Sequence, residues 1–234
     1  MGGSPAVHAV RSMSEQIGKQ SLQFLNPPYI LSSGSVVGTR EGEGPLGKKF
    51  DMVGEDDHFD SDNWEAAESV LQKKALNIAL DKAGIAPEEL RYLFAGDLLG
   101  QSKTTSFVLQ QFEVPLVGLY GACSTAGLSL SLAAMTVAAG YADLAAAVTS
   151  SHFASAEKQF RFPLEYANQR PLCTTWTVTG SGAFVLAGKG KYYDLTHRDF
   201  HEKIFTEDSE DLAYSGWKND YDVVVSGITT GKIL

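Results

Sequence analysis

With 234 residues, 44% of them apolar, the chain can build a sizeable hydrophobic core in one large domain or two small ones. Nineteen Lys and Arg stand against 28 Asp and Glu, a formal charge of −9, and no basic cluster is visible, which argues against a nucleic-acid or anionic-membrane surface. The two cysteines, Cys123 and Cys173, share no metal-ligand spacing, so neither a disulfide framework nor a zinc site is expected and both thiols are read as reduced.

The opening segment holds Arg11 and Lys19 but no apolar run of secretory length, so residues 1–20 read as a frayed leader and the origin as cytosolic. Tyr29 to Val37 has the composition of a strand, and the Gly-rich stretch from Gly38 to Gly47 that of a loop. Between Ser61 and Ala83, Trp64, Ala67, Val70, Leu71, Ala75, Ile78 and Ala79 recur at helical spacing. Ser61 is the expected N-cap of that helix and Gly84 its C-terminal stop. Pro87, Glu88 and Glu89 suit a second short helical start.

Tyr92 to Ala95 is short and apolar, as a strand buried on both faces should be. A helix over Ser102 to Phe112 and a strand over Leu116 to Leu119 follow it. Ser124 to Ala139 is small and apolar without proline and predicts a buried helix, then Asp143 to Val148 a strand that closes on Thr149, Ser150, Ser151 and His152. The stretch Leu128 to Val148 holds Ser129, Ser131, Thr136, Gly140 and Asp143, so it predicts that helix and strand and not a membrane span. Thr175 to Leu186 predicts a further strand. Alternating strands and helices give an α/β fold, a mostly parallel sheet with helices on both faces. From Lys189 the chain turns charged and aperiodic, with His197 and His201 in no pattern, until Tyr221 to Val225 offers one more strand.

The strongest local signal is Gly121-Ala122-Cys123-Ser124-Thr125 between a strand and a helix of small residues. Amides at a helix start lack helical acceptors and the dipole is positive there, so an anion or a thiolate is favoured, and Cys123 is expected to have a lowered pKa. A buried structural cysteine fits the composition as well. His152, at the end of a core strand, is the candidate base for such a thiol, and Ser150 and Ser151 end the same strand, where parallel sheets form their ligand crevice. They equally suit a capped turn and a satisfied polar residue.

Asp97 reaches the same edge, as a crevice carboxylate or as an ordinary turn residue. Lys158, Arg161 and Arg170 among Phe160, Phe162, Pro163 and Tyr166 suit a planar carboxylated ligand, or else a solvated loop. Gly180-Ser181-Gly182 permits close backbone approach but is a weak signal, and His58 with Asp56 and Asp57 fits no specific metal spacing.

Placed at a strand-to-helix turn, the Cys123 segment resembles the thiolase superfamily, whose reactive cysteine occupies that position. A closer resemblance is to the stage V sporulation protein AD family, carried by Gly44-Pro45-Leu46-Gly47, Ala95-Gly96-Asp97-Leu98-Leu99, Thr149-Ser150-Ser151-His152, the run from Ala156 to Pro163, and the run from Thr177 to Gly182. It covers Met13 to Gly188, which marks residues 21–188 as the N-terminal half of a thiolase-like fold and residues 189–234 as an unmatched tail, with Tyr221 to Gly227 like a piece of a truncated second half. In the family that second half supplies the histidine or asparagine partners of the cysteine, and without it the sheet is expected to expose an apolar face.

The resemblance implies non-catalytic binding of dipicolinic acid, free or as its calcium chelate, during uptake into the developing spore. It also implies work beside other proteins of the spore dipicolinate uptake system at the inner membrane, a role in sporulation and germination, and room for a homodimer. The implied ligand set is Cys123, Ser124, Ser150, Ser151, His152, Arg161 and Asp97, with no metal and no cofactor. A thiolase-like acyltransferase using Cys123, and a structural or interaction module, stand as alternatives.

Overall fold

The computed structural model describes residues 14–17, 19, 21–98, 103–155 and 177–188. Two short strands, β1 (Ser14–Ile17) and β2 (Ser21–Phe24), pair antiparallel as a small separate sheet. Within the leader expected to fray over residues 1–20, Ser14–Ile17 therefore form a strand, with β2 supplying its backbone partner.

The main sheet is built from β3 (Tyr29–Val37), β4 (Met52–Val53), β5 (Tyr92–Asp97), β6 (Leu116–Gly118), β7 (Leu144–Ser151) and β8 (Gly180–Ala187), in the order β4-β3-β8-β7-β5-β6. Pairing is parallel between β3 and β4, β5 and β6, and β5 and β7, while β8 runs antiparallel to both β3 and β7. Five strands thus share one direction and β8 opposes them, which is the mostly parallel α/β sheet expected. β4 and the short helix α1 (Thr39–Gly42) lie within and after the stretch that composition marked as loop, too short for any periodicity to reveal.

The longest helix, α2 (Trp64–Ala83), starts later than expected. Phe59 and Asp60 both take left-handed backbone (φ 50 and 56), which delays the turn into the helix. Asn63, not Ser61, then caps it, its side chain accepting the Ala66 amide at 2.8 Å. Gly84 ends it at φ 64, with the Ile85 amide reaching back to Leu80 O. Beyond β5 come α3 (Lys103–Leu109), continued by a tight turn over Gln110–Phe112, and α4 (Thr125–Ala138).

Strand alternation decides which helix each residue meets. In β7, Leu144, Ala146 and Val148 join the core with α2 and α3, whereas Ala145 and Ala147 pack with Leu130, Ala133, Ala134 and Val137 of α4. Helices therefore cover both faces of the sheet. Leu71, Leu76 and Leu93 are fully buried, and each contributes roughly 1.5–3 kcal/mol by leaving water. The approach of α2 to β3 is tight: a Cβ on Gly34 would stand 2.1 Å from Ala75 O.

Among the described residues no large apolar side chain of β3, β7 or β8 is exposed. On the α4 side, β3 and β8 present half-buried Ser33, Ser35 and Gly182 beside half-buried Ile30 and Phe184, so the face expected to be apolar is mixed. The run from Leu128 to Val148 is a buried helix and strand, and no helix among the described residues is long and apolar enough to cross a membrane.

Candidate ligand site

The Cys123 turn is set by close backbone packing at the carboxyl ends of β5 and β6. Leu119 N donates to Ala95 O at 2.8 Å, and Leu119 O comes so near Gly96 that a Cβ there would lie 2.2 Å away. The chain then passes through Ala122 at φ 47, a left-handed conformation that a side chain disfavours by about 1 kcal/mol. Ala122–Ser124 form a single tight turn, and α4 starts at Thr125.

Thr125 locks the turn: its hydroxyl accepts the Gly121 amide at 3.1 Å and donates to Ala122 O at 2.8 Å. The Ser124 hydroxyl turns back to Gly121 O at 2.8 Å and does not cap α4. The first-turn amides of α4 thus receive no side-chain acceptor from their N-cap, beside an exposed, free Cys123 thiol. Of the two sequence alternatives for Cys123, the buried one is not what the turn adopts.

Asp97 and Ser150 lie on the other face. Asp97 continues the register of Leu93 and Ala95 along β5, and Ser150 that of Ala146 and Val148 along β7, toward α2 and α3. Asp97 is fully buried, and one carboxylate oxygen accepts the hydroxyls of Thr104 (2.7 Å) and Thr105 (3.0 Å). Ser150 donates to Glu68 Oε1 at 2.8 Å and accepts Gln72 Nε2 at 2.7 Å. Gln72 Nε2 also meets Thr105 Oγ1 (2.9 Å) and Gly96 O (3.2 Å), while its Oε1 is buried without a partner among the described residues. Glu68, 2% exposed, takes a second hydroxyl from Ser155, and burial pushes its pKa up to about 7.

His152 has both ring nitrogens engaged. Nε2 meets Asp57 O at 2.8 Å and Nδ1 accepts the Ala154 amide at 3.1 Å, which fixes the neutral tautomer with its proton on Nε2. The ring is buried beside Trp64 and Phe153, and burial holds its pKa below the usual histidine value. Ser151 donates to Val178 O. Ser150, Ser151 and His152 bond to Glu68, Gln72, Val178, Asp57 and Ala154, and not to Cys123 or Ser124. The residues expected to converge therefore divide into an open turn at α4, Ser151 at the end of β7 on the same face of the sheet, and a buried polar layer under α2.

Arg161, with Lys158, Arg170, Cys173 and the aromatic residues around them, lies outside the described residues, as do His197, His201 and Tyr221 to Val225. Ser181 of the Gly180-Ser181-Gly182 run donates to Thr149 O at 2.7 Å. Asp56 accepts the amides of His58 and Phe59, and Asp57 holds Thr39 through its amide and hydroxyl. Sequence reasoning missed Glu68, Gln72 and Thr105. Glu68 and Gln72 had a signal: they fall at i and i+4 on the stripe that carries Trp64, Ala75 and Ala79, and polar residues on an apolar stripe need partners inside.

The sequence matches the profile of the family described as stage V sporulation protein AD over residues 18–211, past Gly188 and into the tail. It is 42% identical over 170 residues to the stage V sporulation protein AD of Bacillus subtilis (strain 168), an alignment covering 73% of this chain and 50% of the relative. The chain thus spans about half the length of that relative. Among solved structures it is similar to 3-oxoacyl-[acyl-carrier-protein] synthase III from Aquifex aeolicus VF5, at 19% identity and a TM-score of 0.45, covering 68% of this chain and 53% of that one. A variant of OleA from Xanthomonas campestris is similar at 18% identity and a TM-score of 0.48, covering 69% and 58%. The match over most of its length makes this chain a member of the stage V sporulation protein AD family.

Proposed function

We propose that the chain is a non-catalytic binding protein for dipicolinic acid, taken free or as its calcium chelate, acting during uptake into the developing spore. The observation that carries this reading is the start of α4, uncapped by its N-cap side chain and flanked by exposed Cys123 and Ser124, in a chain of a sporulation family. Dipicolinate is a planar aromatic dianion, and the positive end of a helix without a side-chain cap suits a carboxylate. Arg161 is proposed to add a bidentate contact to the second carboxylate. Ser151, on the α4 face by strand alternation, is a further candidate contact. Asp97, Ser150 and His152 act behind the site, through the packing of the strand ends.

Work beside other proteins of the uptake system at the spore inner membrane, and assembly as a homodimer, belong to the same proposal. The rival acyl-transfer reading needs a base for the Cys123 thiol, and His152 has no free ring nitrogen to serve as one. Isothermal titration of the chain with dipicolinate, with and without calcium, tests the proposal. Binding heat is expected, with affinity about tenfold weaker in Cys123→Ala, the loss of one contact worth about 1.4 kcal/mol. No heat from the intact chain overturns it, and a stable acyl adduct on Cys123 after incubation with acyl-CoA, seen by mass spectrometry, would favour the rival.

A further inference from the structure

The buried layer under α2 is not used by the proposed ligand site, and it has a chemical peculiarity. It brings two carboxylates, Glu68 at 2% exposure and Asp97 at 0%, into one continuous hydrogen-bonded chain through Ser150, Gln72 and Thr105. Glu68 is met by two hydroxyls, those of Ser150 and Ser155, and hydroxyls can reverse their direction.

Among the described residues, the groups facing Glu68 offer its charge two hydroxyl hydrogen bonds and no cation. Asp97 from β5 and Glu65 from its own helix are acidic, α3 presents the neutral Thr104 and Thr105, and His152 beyond β7 is held neutral. An ionised carboxylate left in such a site is costly, and the group lowers that cost by keeping its proton.

We propose that the folded protein holds the Glu68 carboxyl in its protonated form and uses it as a proton-dependent clasp joining α2, the carboxyl end of β7 and Ser155. In the protonated state Glu68 Oε1 still accepts from Ser150. Its Oε2–H donates to the Ser155 hydroxyl, which turns its own hydrogen to His152 O, 3.4 Å away. When the proton leaves to solvent, the Ser155 hydroxyl swings back to donate to the carboxylate and releases His152 O. One proton is exchanged, and the direction of one hydrogen bond reports it. The clasp does not depend on whether the chain binds dipicolinate.

The direct test is carbon-13 NMR of the full chain labelled at glutamate Cδ. One glutamate is expected to titrate near neutral pH, apart from the rest, and to vanish from the spectrum of Glu68→Gln. If every glutamate of the wild-type chain titrates in the ordinary carboxylate range, the clasp is excluded, whatever the variant does. Denaturant unfolding gives a second readout. The ratio of wild-type to Glu68→Gln unfolding constants is expected to grow on the order of a hundredfold between about pH 4.5 and pH 7, as linkage requires of a displaced titration. Reading the ratio matters, because His152 acts in an overlapping range with the opposite sign and is common to both proteins. A ratio that does not change with pH, or no such change beyond that of the exposed-site control Glu88→Gln, overturns the proposal.

Discussion

The two long helices lie on opposite faces of one sheet and are anchored in different ways. Helix α2 is capped at both ends, by the Asn63 side chain and by left-handed Gly84, and lies backbone to backbone against β3 at Gly34. It also reaches the strand ends through polar side chains, Glu68 and Gln72, that are sealed from water. Helix α4 is held by small apolar residues and by Thr125 at its base, while its N-cap side chain leaves the first turn open. The difference separates a helix fastened at both ends by caps from one whose start has no side-chain cap and lies beside exposed Cys123 and Ser124.

The largest expected effect that sharpens this contrast comes from pH. Glu68 has an ordinary value of 4.5 that the fold raises to about 7. Below pH 4.5 both folded and unfolded chains carry the proton; above it only the folded chain does, so this contribution to stability is lost as pH rises through about 7. Linkage over that interval corresponds to about 3 kcal/mol, and Glu68→Gln, which stays neutral, should recover most of it at about pH 8 in urea unfolding. His152 works oppositely, because its depressed pKa makes stability fall as pH drops below the usual histidine range.

Next in size is Gly34→Ala, whose Cβ would drive into Ala75 O and push α2 off β3. A loss of about 2 kcal/mol is expected from denaturant midpoints, since the obstacle is backbone and cannot rotate away. Smaller again is the comparison of caps. Asn63→Ala should cost about 1 kcal/mol, whereas Ser124→Ala, which removes no helix cap, should cost less than half of that; equal losses would mean the α4 start is capped after all. The smallest effect belongs to Gly182→Ala on the α4 face of β8, where a Cβ meets nothing within 4 Å. Its stability should stay within about 0.5 kcal/mol of the parent, a strand glycine gaining a little from alanine.

Much of the fold was legible because burial on two faces forces composition. The strand at Tyr29–Val37, the apolar runs that became β5 and β7, and the glycine that ends α2 all follow from local rules. Local rules failed where a neighbour decided the matter. Ser61 is of the right type for a cap, but the left-handed turn at Phe59 and Asp60 carries the helix start on to Asn63. The strand ending near Val148 runs on through Ser151, because β8 and β5 supply ladder partners for Thr149, Ser150 and Ser151.

The candidate site was legible in half. The Cys123 turn could be found because a strand, a glycine and a run of small residues mark a strand-to-helix junction in any context. The grouping of Asp97, Ser150 and His152 with that turn could not be judged from spacing, since one residue of register moves a side chain to the other face of the sheet. By itself the sequence determined the α/β class, the family and the Cys123 turn, which are local or cumulative properties of the chain. Only the tertiary structure decided that Ser150 and Asp97 face α2 and that His152 is satisfied on both nitrogens, because those outcomes depend on partners as far as 95 residues away, as Asp57 is from His152.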